Sequence, residues 1–474
     1  METALWTGTT AARIHTYIPD ETVSKVIEFY ENDENSRIMP HKKETVTVRI
    51  NDRKEKKQKR LLLNDIKVLH TCFKKKYPLF PIGLTKFAEL RPKWCVLAGT
   101  SGTHNVCVCV IHQNVKAMID AAGLETFSKN LKTILNNSDD CIRFILCDKP
   151  KDTCHVLQCK DCPKLENFSD LLLGILNQNN IRQVIFSKWQ SIDRCTLRQE
   201  CLSTEDFVEE LCEKLKELIS YDFILKAQSK FISNKKENLQ EDEVLLQCDF
   251  AENYAYVLQD AAQGFHYNND QCTVFTVLFY YRSGEQLEHQ SIILLSDSTT
   301  HDAAAVYIMQ QNVIPIIRKI CPKFKKIIYA TDGAKQHFKN RYQMSNLMNH
   351  KDDFDAEAEW HFHATAHGKG PCDGLGASLK REATRYSLQV HQNNAILNST
   401  RLFTWAKGKF ENIKFFYYSK EHHQKTKKIL NKRFSTAPAV TNIQMSHAFI
   451  PTSNKVLKVK RYSAAKDIIS TVQY

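Results

Sequence analysis

Three aspartates are spaced so that one site could use them together: Asp249 in LLQCDFAENY, Asp332 in KKIIYATDGAKQHFKN and Asp373 in HGKGPCDGLGASLKRE. Carboxylate oxygens are the hard ligands that Mg²⁺ and Mn²⁺ prefer. Two such ions can activate an attacking oxygen and stabilise the leaving oxygen of a phosphodiester. A second set, Cys147, Cys154, Cys159 and Cys162 in LCDKPKDTCHVLQCKDCP, ends in a C-x₂-C pair within a short polar stretch. Thiolates at that spacing suit a structural zinc ion, with His155 as a substitute ligand. His361, His363 and His367, with Cys372, offer a further metal set; preferred to it are a DNA contact or a supporting role beside the carboxylates for one of them, His367 first, and the default is a place in core or surface.

The acids need elements that hold like charges together. VLLQCDF reads as an apolar strand ending at Asp249, and TVFTVLFYYRS and QLEHQSIILLS as two more strands joined at Ser283 and Gly284. DAAAVYIMQQNVIPIIRKI has helical spacing, with Pro315 as a kink or break. KKIIYATD is a short strand ending at Asp332, GAKQHFKNRYQMSNLMNH is helix-like, and AEWHFHAT is a fifth strand. A helix then opens near Asp373 or Gly374, giving the order β-β-β-α-β-α-β-α. Asp373 also has a plain role as a cap, because a helix start favours negative charge. Lys335, Lys339 and Arg341 come after Asp332 on the expected helix, and Lys369 lies beside the last turn. They offer contacts to phosphates, or simply an exposed basic face.

This order and these acids resemble the RNase H-like core of DDE/DDD transposases and retroviral-type integrases. DFAENY, TDGAKQHFKN and HGKGPCDG also look like motifs of transposon-derived eukaryotic proteins. The resemblance covers residues 243–390, about a third of the chain, and leaves the transposon superfamily open. It implies an α/β fold with a mixed sheet, the first acid on the first strand and the second beside it at the end of the fourth. The third comes from the helix after the fifth strand. Asp249, Asp332 and Asp373 match those positions as catalytic ligands of two Mg²⁺ or Mn²⁺ ions. Members of the family often carry Glu third, so Glu382, on the same helix, is the second choice. Glu252, Asp260 and Asp297 read as solvated. DNA is the implied partner, bound by a homodimer or higher oligomer because two ends must be brought together.

Composition agrees with a nucleic-acid partner. The formal charge is +13, and residues 401–461 alone carry 14 basic and 2 acidic side chains. A second run, RKEKKQKR from Arg53 to Arg60, precedes Lys74, Lys75 and Lys76. Such clusters attract phosphates, form a solvated face or, for the short run, direct nuclear import, which makes the nucleus the expected location. No apolar stretch approaches the roughly 20 residues of a membrane span, and the first residues lack the apolar region of a signal peptide. Sixteen cysteines then imply reduced thiols or metal ligands.

Upstream, LNDIKVLHTCFKKKYP reads as a helix capped by Asn64 or Asp65, and GLTKFAELRPKW as a second capped by Thr85. The pair is either a helix-turn-helix or an ordinary helical pair. Alternation in VCVCVI suggests a strand with Cys107 and Cys109 on one face, and residues 202–240 are helical. The chain thus divides into five regions: 1–62, partly flexible; 63–125, helix-turn-helix-like; 126–240, cysteine-rich and helical; 241–395, the RNase H-like core; and 396–474, basic. HGKGP fails the Walker pattern, and no GxSxG or GxGxxG occurs. The function expected is transposase-like DNA cleavage and strand transfer. The alternatives are a domesticated, non-catalytic DNA-binding protein and an RNase H-like nuclease acting on RNA or hybrids.

Overall fold

The computed structural model describes residues 18–32, 35–38, 45–50, 53–62, 64–97, 109–129, 134–191, 193, 195–267, 269–364 and 370–474. They form two compact units, Met1–Val110 and Ile111–Tyr474. Composition suggests divisions at 62/63 and 125/126. Packing divides the chain elsewhere because helix Asp20–Glu31 shares a core with helices Ile66–Lys76 and Leu84–Glu89 through Phe29, Tyr30, Phe73 and Phe87.

In the first unit Asp65 caps its helix, accepting the N–H groups of Lys67 and Val68 at 3.1 Å. The next helix opens at Gly83 with no side-chain cap, so Thr85 lies inside its first turn. The basic run lies in strands. Arg53–Gln58 pairs antiparallel with Thr45–Ile50, whose β-branched residues favour a strand, and Arg60–Leu62 pairs with Ser36–Ile38.

The second unit begins with helices Val110–Ala121, Ser138–Ile145 and Leu165–Gln178 and a hairpin, Gln183–Ser191 with Cys195–Ser203. Cys109 precedes a helix and is not on the expected strand, and Cys107 lies outside the described residues. Helical spacing wins there because Val115, Met118, Ile119 and Ala122 are all buried on one face. The long helix α1, Thr204–Glu237, starts at Ser203, whose hydroxyl accepts the Asp206 N–H. Its first half buries Phe207, Leu211 and Leu215 among those helices.

The rest of this unit is built on one mixed sheet of nine strands: β1 Glu243–Ala255, β2 Gln271–Ser283, β3 Gln286–Ser296, β4 Lys326–Thr331, β5 Glu357–Phe362, β6 Ile413–Tyr418, β7 Ala448–Pro451, β8 Val456–Lys460 and β9 Ser470–Gln473. The spatial order is β6-β3-β2-β1-β4-β5-β7-β8-β9. Strands β1, β4 and β5 are mutually parallel, β2 is antiparallel to β1 and β3, and β6 is parallel to β3. Between them run α2, Ala303–Ile320; α3, Arg341–Met348; α4, Pro371–Gln389; α5, Ser399–Lys409; and α6, Lys420–Ser435. Pro315 lies within α2 without ending it. The order through α4 is the one read from the sequence, with short helices Gln263–Tyr267 and His350–Phe354 added. Residues 396–474 are not a separate basic tail, since β6 and β7–β9 extend this sheet on both sides.

A buried polar cluster joins α1 to the sheet. Gln228 Nε2 donates to Phe362 O at 2.7 Å and Ser463 Oγ at 2.9 Å, and His361 Nδ1 lies 2.7 Å from that hydroxyl. Next to it, Glu359 pairs with Lys326 at 2.7 Å and lies 3.2 Å from His361 Nε2. Burial pushes the Glu359 carboxyl up, but His361 and Lys326 outweigh it and hold it at about 2, below the ordinary 4.5. Its contribution is therefore complete above the unfolded carboxyl range and disappears as pH falls. We expect wild-type stability to drop between about pH 5 and pH 2 by on the order of 3 kcal/mol more than in Glu359→Gln, measured by urea unfolding at each pH.

Candidate functional site

The parallel register brings two of the expected acids level. Ala330 of β4 stands opposite Gln247 of β1, so two residues further on Asp332 stands beside Asp249. Residues at one register point to the same face of a sheet. On the other side Thr331 pairs with Phe362, which brings His363 level with Asp332. Asp249 does not end its strand as expected; β1 continues to Ala255, with a register shift between Ala251 and Tyr254. The neighbouring β4 ends at Thr331 instead, so β1 runs on beyond Asp249 without it as a partner.

Helix α4 closes over this face. A Cβ on Gly376 would stand 2.9 Å from the Ala251 Cβ, so glycine permits the close approach, and Cys372 Sγ lies 3.5 Å from Gln247 O. Burial, then the nearby Asp332 and Asp373 charges, push the Asp249 carboxyl up to about 7. Asp332 is raised too, by burial first and by Asp373 as well.

Asp373 occupies the first turn of α4, and its Oδ2 accepts the Gly370 N–H at 2.7 Å. It therefore acts as a cap while lying close enough to bear on both aspartates. Glu382 is nine residues along the same helix, about 13 Å by helical rise, and pairs with Arg385 at 2.9 Å. That removes it from the pair of aspartates. Glu252 is exposed 3.9 Å from Lys380, Asp260 is exposed in a turn, and Asp297 accepts the Lys420 N–H at 2.7 Å.

The segment after Asp332 is a set of turns rather than the expected helix, which starts only at Arg341. The N–H groups of Phe338 and Lys339 both donate to Ala334 O at 3.0 Å, folding the chain back. This has two consequences. Lys339, expected at a phosphate, is 3% exposed; its Nζ donates to Gln444 O at 2.9 Å and lies over the Phe362 ring. Burial lowers that amine to about 8. Lys335 and Arg341 are exposed, and Lys369 and His367 lie outside the described residues.

The second consequence is His337, a residue that sequence pattern does not single out. Its Nε2 lies 3.9 Å from Asp332 Oδ1, and ligand atoms of Asp249, Asp332 and His337 all fall within 4.8 Å of one another. Neither ring nitrogen hydrogen-bonds to a described residue. Burial, with His301 nearby, lowers the imidazole to about 4, so it is neutral with a free lone pair. The group of two carboxylates and an imidazole can bind a metal. A histidine five residues after a strand-end acid is the available signal; a helix assumed over that segment hides it.

The four cysteines meet as expected. Their Sγ atoms lie within 4.8 Å of one another, with Cys147 3.9 Å from Cys159 and 3.6 Å from Cys162. Tetrahedral zinc with bonds of about 2.3 Å separates its sulfurs by about 3.8 Å, so the cluster can hold a zinc ion. His155 is not a fifth candidate, because its ring stacks on Phe223 of α1 at 4.9 Å. His361, His363 and Cys372 do not gather: His361 is engaged by Ser463 and Glu359, and Cys372 faces Gln247.

Comparison with family models matches three domains of unknown function: DUF8699 over residues 17–99, DUF8700 over 110–219 and DUF8701 over 228–463. No curated protein matches the chain. Among solved structures, the Mos1 transposase paired-end complex with left transposon end is matched at a TM-score of 0.24 and 13% identity, over 70% of this chain and 97% of that one.

The approach of α4 is testable. We expect Gly376→Ala to destabilise the protein by about 1–3 kcal/mol because the helix must retreat from Ala251. Gly374→Ala, on the same helix with nothing near its Cβ position, should be neutral or gain up to about 1 kcal/mol. Urea unfolding compares the two.

Proposed function

We propose that residues 241–395 form an RNase H-like core that cuts and joins DNA by phosphoryl transfer, in the manner of DDE/DDD transposases. The observation that carries this reading is the level position of Asp249 and Asp332 on adjacent parallel strands. It occurs in a sheet ordered β3-β2-β1-β4-β5, in which β2 alone of those five runs in reverse. That is the arrangement the resemblance implies for the first two acids. Two like charges side by side in a half-buried position are costly without a cation, which supports a metal centre.

Bound Mg²⁺ or Mn²⁺ would supply activation of the attacking oxygen and stabilisation of the leaving one. Asp249 and Asp332 would hold it, and Asp373 would join them from α4 once its carboxylate turns from the Gly370 N–H. Lys335 and Arg341, both exposed, would hold target phosphates, and Lys425, Lys428 and Lys432 on the exposed face of α6 would extend that contact. The cysteine cluster would hold a structural zinc. In the other unit, the pair of helices Ile66–Lys76 and Leu84–Glu89 would recognise DNA. Assembly as a homodimer or larger oligomer in the nucleus belongs to the same reading.

The full chain is expected to cut and join DNA carrying its own flanking termini with Mg²⁺ or Mn²⁺. Asp249→Asn and Asp332→Asn should each lower the rate by roughly 10³-fold or more. DNA binding without cutting by folded protein would replace this reading with a non-catalytic one. Preferential cleavage of RNA or hybrid duplexes would identify a nuclease. Separately, purified protein should contain about one equivalent of zinc, falling below about half in Cys159→Ser by elemental analysis; a metal-free wild type would refute the zinc assignment.

A further inference from the structure

The mutual position of His337, Asp249 and Asp332 implies more than two acids facing solvent. His337 is 8% exposed, yet both ring nitrogens lack hydrogen-bond partners among the described residues. Its walls are aromatic, with Phe338 at 4.4 Å and Phe250 at 4.8 Å between ring centroids. An imidazole buried with both nitrogens unsatisfied costs roughly 1–3 kcal/mol for each group, so such a residue normally has a water or ion as partner. The partner cannot be Phe250 or Phe338. For Nε2, Asp332 Oδ1 stands 3.9 Å away, and a cation between the two would meet that nitrogen.

Two more observations make this an arranged orientation rather than a loose turn. Phe250, which bears on the His337 ring, stacks on His301 at 4.3 Å. His301 in turn lies 3.0 Å from both Asn253 Oδ1 and Thr273 Oγ1. The ring is therefore backed by a wall anchored in β1 and β2. On the other side, Lys339 and Gln444 exchange hydrogen bonds, Nζ to O at 2.9 Å and Nε2 to O at 3.1 Å, which pins the turn two residues beyond His337.

We propose that His337 is a further protein ligand beside Asp249 and Asp332, and that the site is thereby a centre for a transition-series divalent cation such as Mn²⁺ in preference to Mg²⁺. A cation with bonds of about 2.1 Å sets ligand atoms about 3.0 Å apart at adjacent vertices and about 4.2 Å apart at opposite ones. The observed spacing, up to 4.8 Å, closes to that range with shifts of about half an ångström. Nitrogen is the discriminating atom: affinity for a nitrogen ligand rises along the first transition series from Mn²⁺ upward, and even Mn²⁺, itself mainly an oxygen binder, accepts an imidazole more readily than Mg²⁺, which keeps an all-oxygen shell. The proposal rests on reading this site as a metal centre, and it is independent of which strand the centre cuts.

The test uses the full chain, treated with chelator and then given one equivalent of Zn²⁺ so that the cysteines do not compete. Mn²⁺ is titrated and followed by its electron paramagnetic resonance, with Mg²⁺ as competitor. Electron spin echo spectra of the bound ion report nitrogen coupling directly, and ¹⁵N-histidine labelling assigns it to imidazole. Wild type should bind Mn²⁺ at least about tenfold more tightly than Mg²⁺ and show one imidazole coupling. His337→Ala should lose the coupling and weaken Mn²⁺ about tenfold or more, with Mg²⁺ changed by less than about threefold. His337→Gln serves in its place if the alanine variant does not fold. Bound Mn²⁺ without nitrogen coupling, lost on Asp249→Asn, would overturn the histidine ligand and leave the carboxylate site standing. No Mn²⁺ binding by folded wild type at millimolar concentrations would overturn both.

Discussion

The fold is organised around a repulsion. Parallel pairing of β1 with β4 sets Asp249 and Asp332 level at the point where β4 ends, and neither can leave without a slip of register. A slip of one residue would turn Leu246, Cys248, Ile327 and Tyr329 out of the core that α2 covers, so burial on the far face enforces the clash on the near one. Two unit charges within 4.8 Å of each other at an effective dielectric near 20 repel by at least about 3 kcal/mol. That repulsion adds to burial in raising the Asp249 carboxyl to about 7, and it gives the site a standing demand for a proton or a cation.

The long helix α1 serves two structures at once. Its first half is buried among the helices and the hairpin that precede it, while Gln228 and Ile232 in its second half meet the sheet. The cysteine cluster is tied to the same helix: Ser220 Oγ donates to His155 O at 3.0 Å and Phe223 stacks on His155. Tyr462, which stands beside Ser463, bonds Asp152 in the cysteine segment and meets Phe223 edge-on. A metal holding the cysteines would thus stiffen a surface that also touches the strand bearing His361. Two of the matched family models end and begin at residues 219 and 228, inside a helix that runs unbroken from 204 to 237.

Local pattern makes some features legible and conceals others. The strands around Asp249 and Asp332 are readable because each contains a short apolar run leading up to its acid, although β1 continues past Asp249, and the cysteines because four thiols in one polar stretch have few other uses. The level register is not readable, since pairing between strands separated by about 80 residues leaves no local trace. The turn at 333–340 departs from its helical pattern for a related reason. GAKQHFKNRYQ contains good helix formers, but the helix is capped at Asn340, whose side chain accepts the Gln343 N–H, and tertiary contacts hold the residues before it in turns. Alternation in VCVCVI likewise gives way at Cys109, where the burial of Val115, Met118 and Ile119 extends a helical period backwards to Val110.

Lys339 shows why the core cannot be separated from the last third of this unit. Burying an ammonium is expensive unless its donors are met, and here Gln444 O meets it while the Phe362 face covers it. Gln444 stands 105 residues later, in the turn Ile443–Met445 before β7. The same pair returns a bond from Gln444 Nε2 to Lys339 O, so the turn carrying His337 is clamped by a segment that composition alone marks as a basic tail. That segment is basic on its exposed α6 face, but its strands and this clamp are structural. The position of the imidazole five residues beyond Asp332 is therefore set by the far end of the chain: β7 pairs with β5, β5 with β4, and the Lys339–Gln444 exchange closes the ring. Geometry at the site is a property of the whole sheet, not of the motif that advertises it.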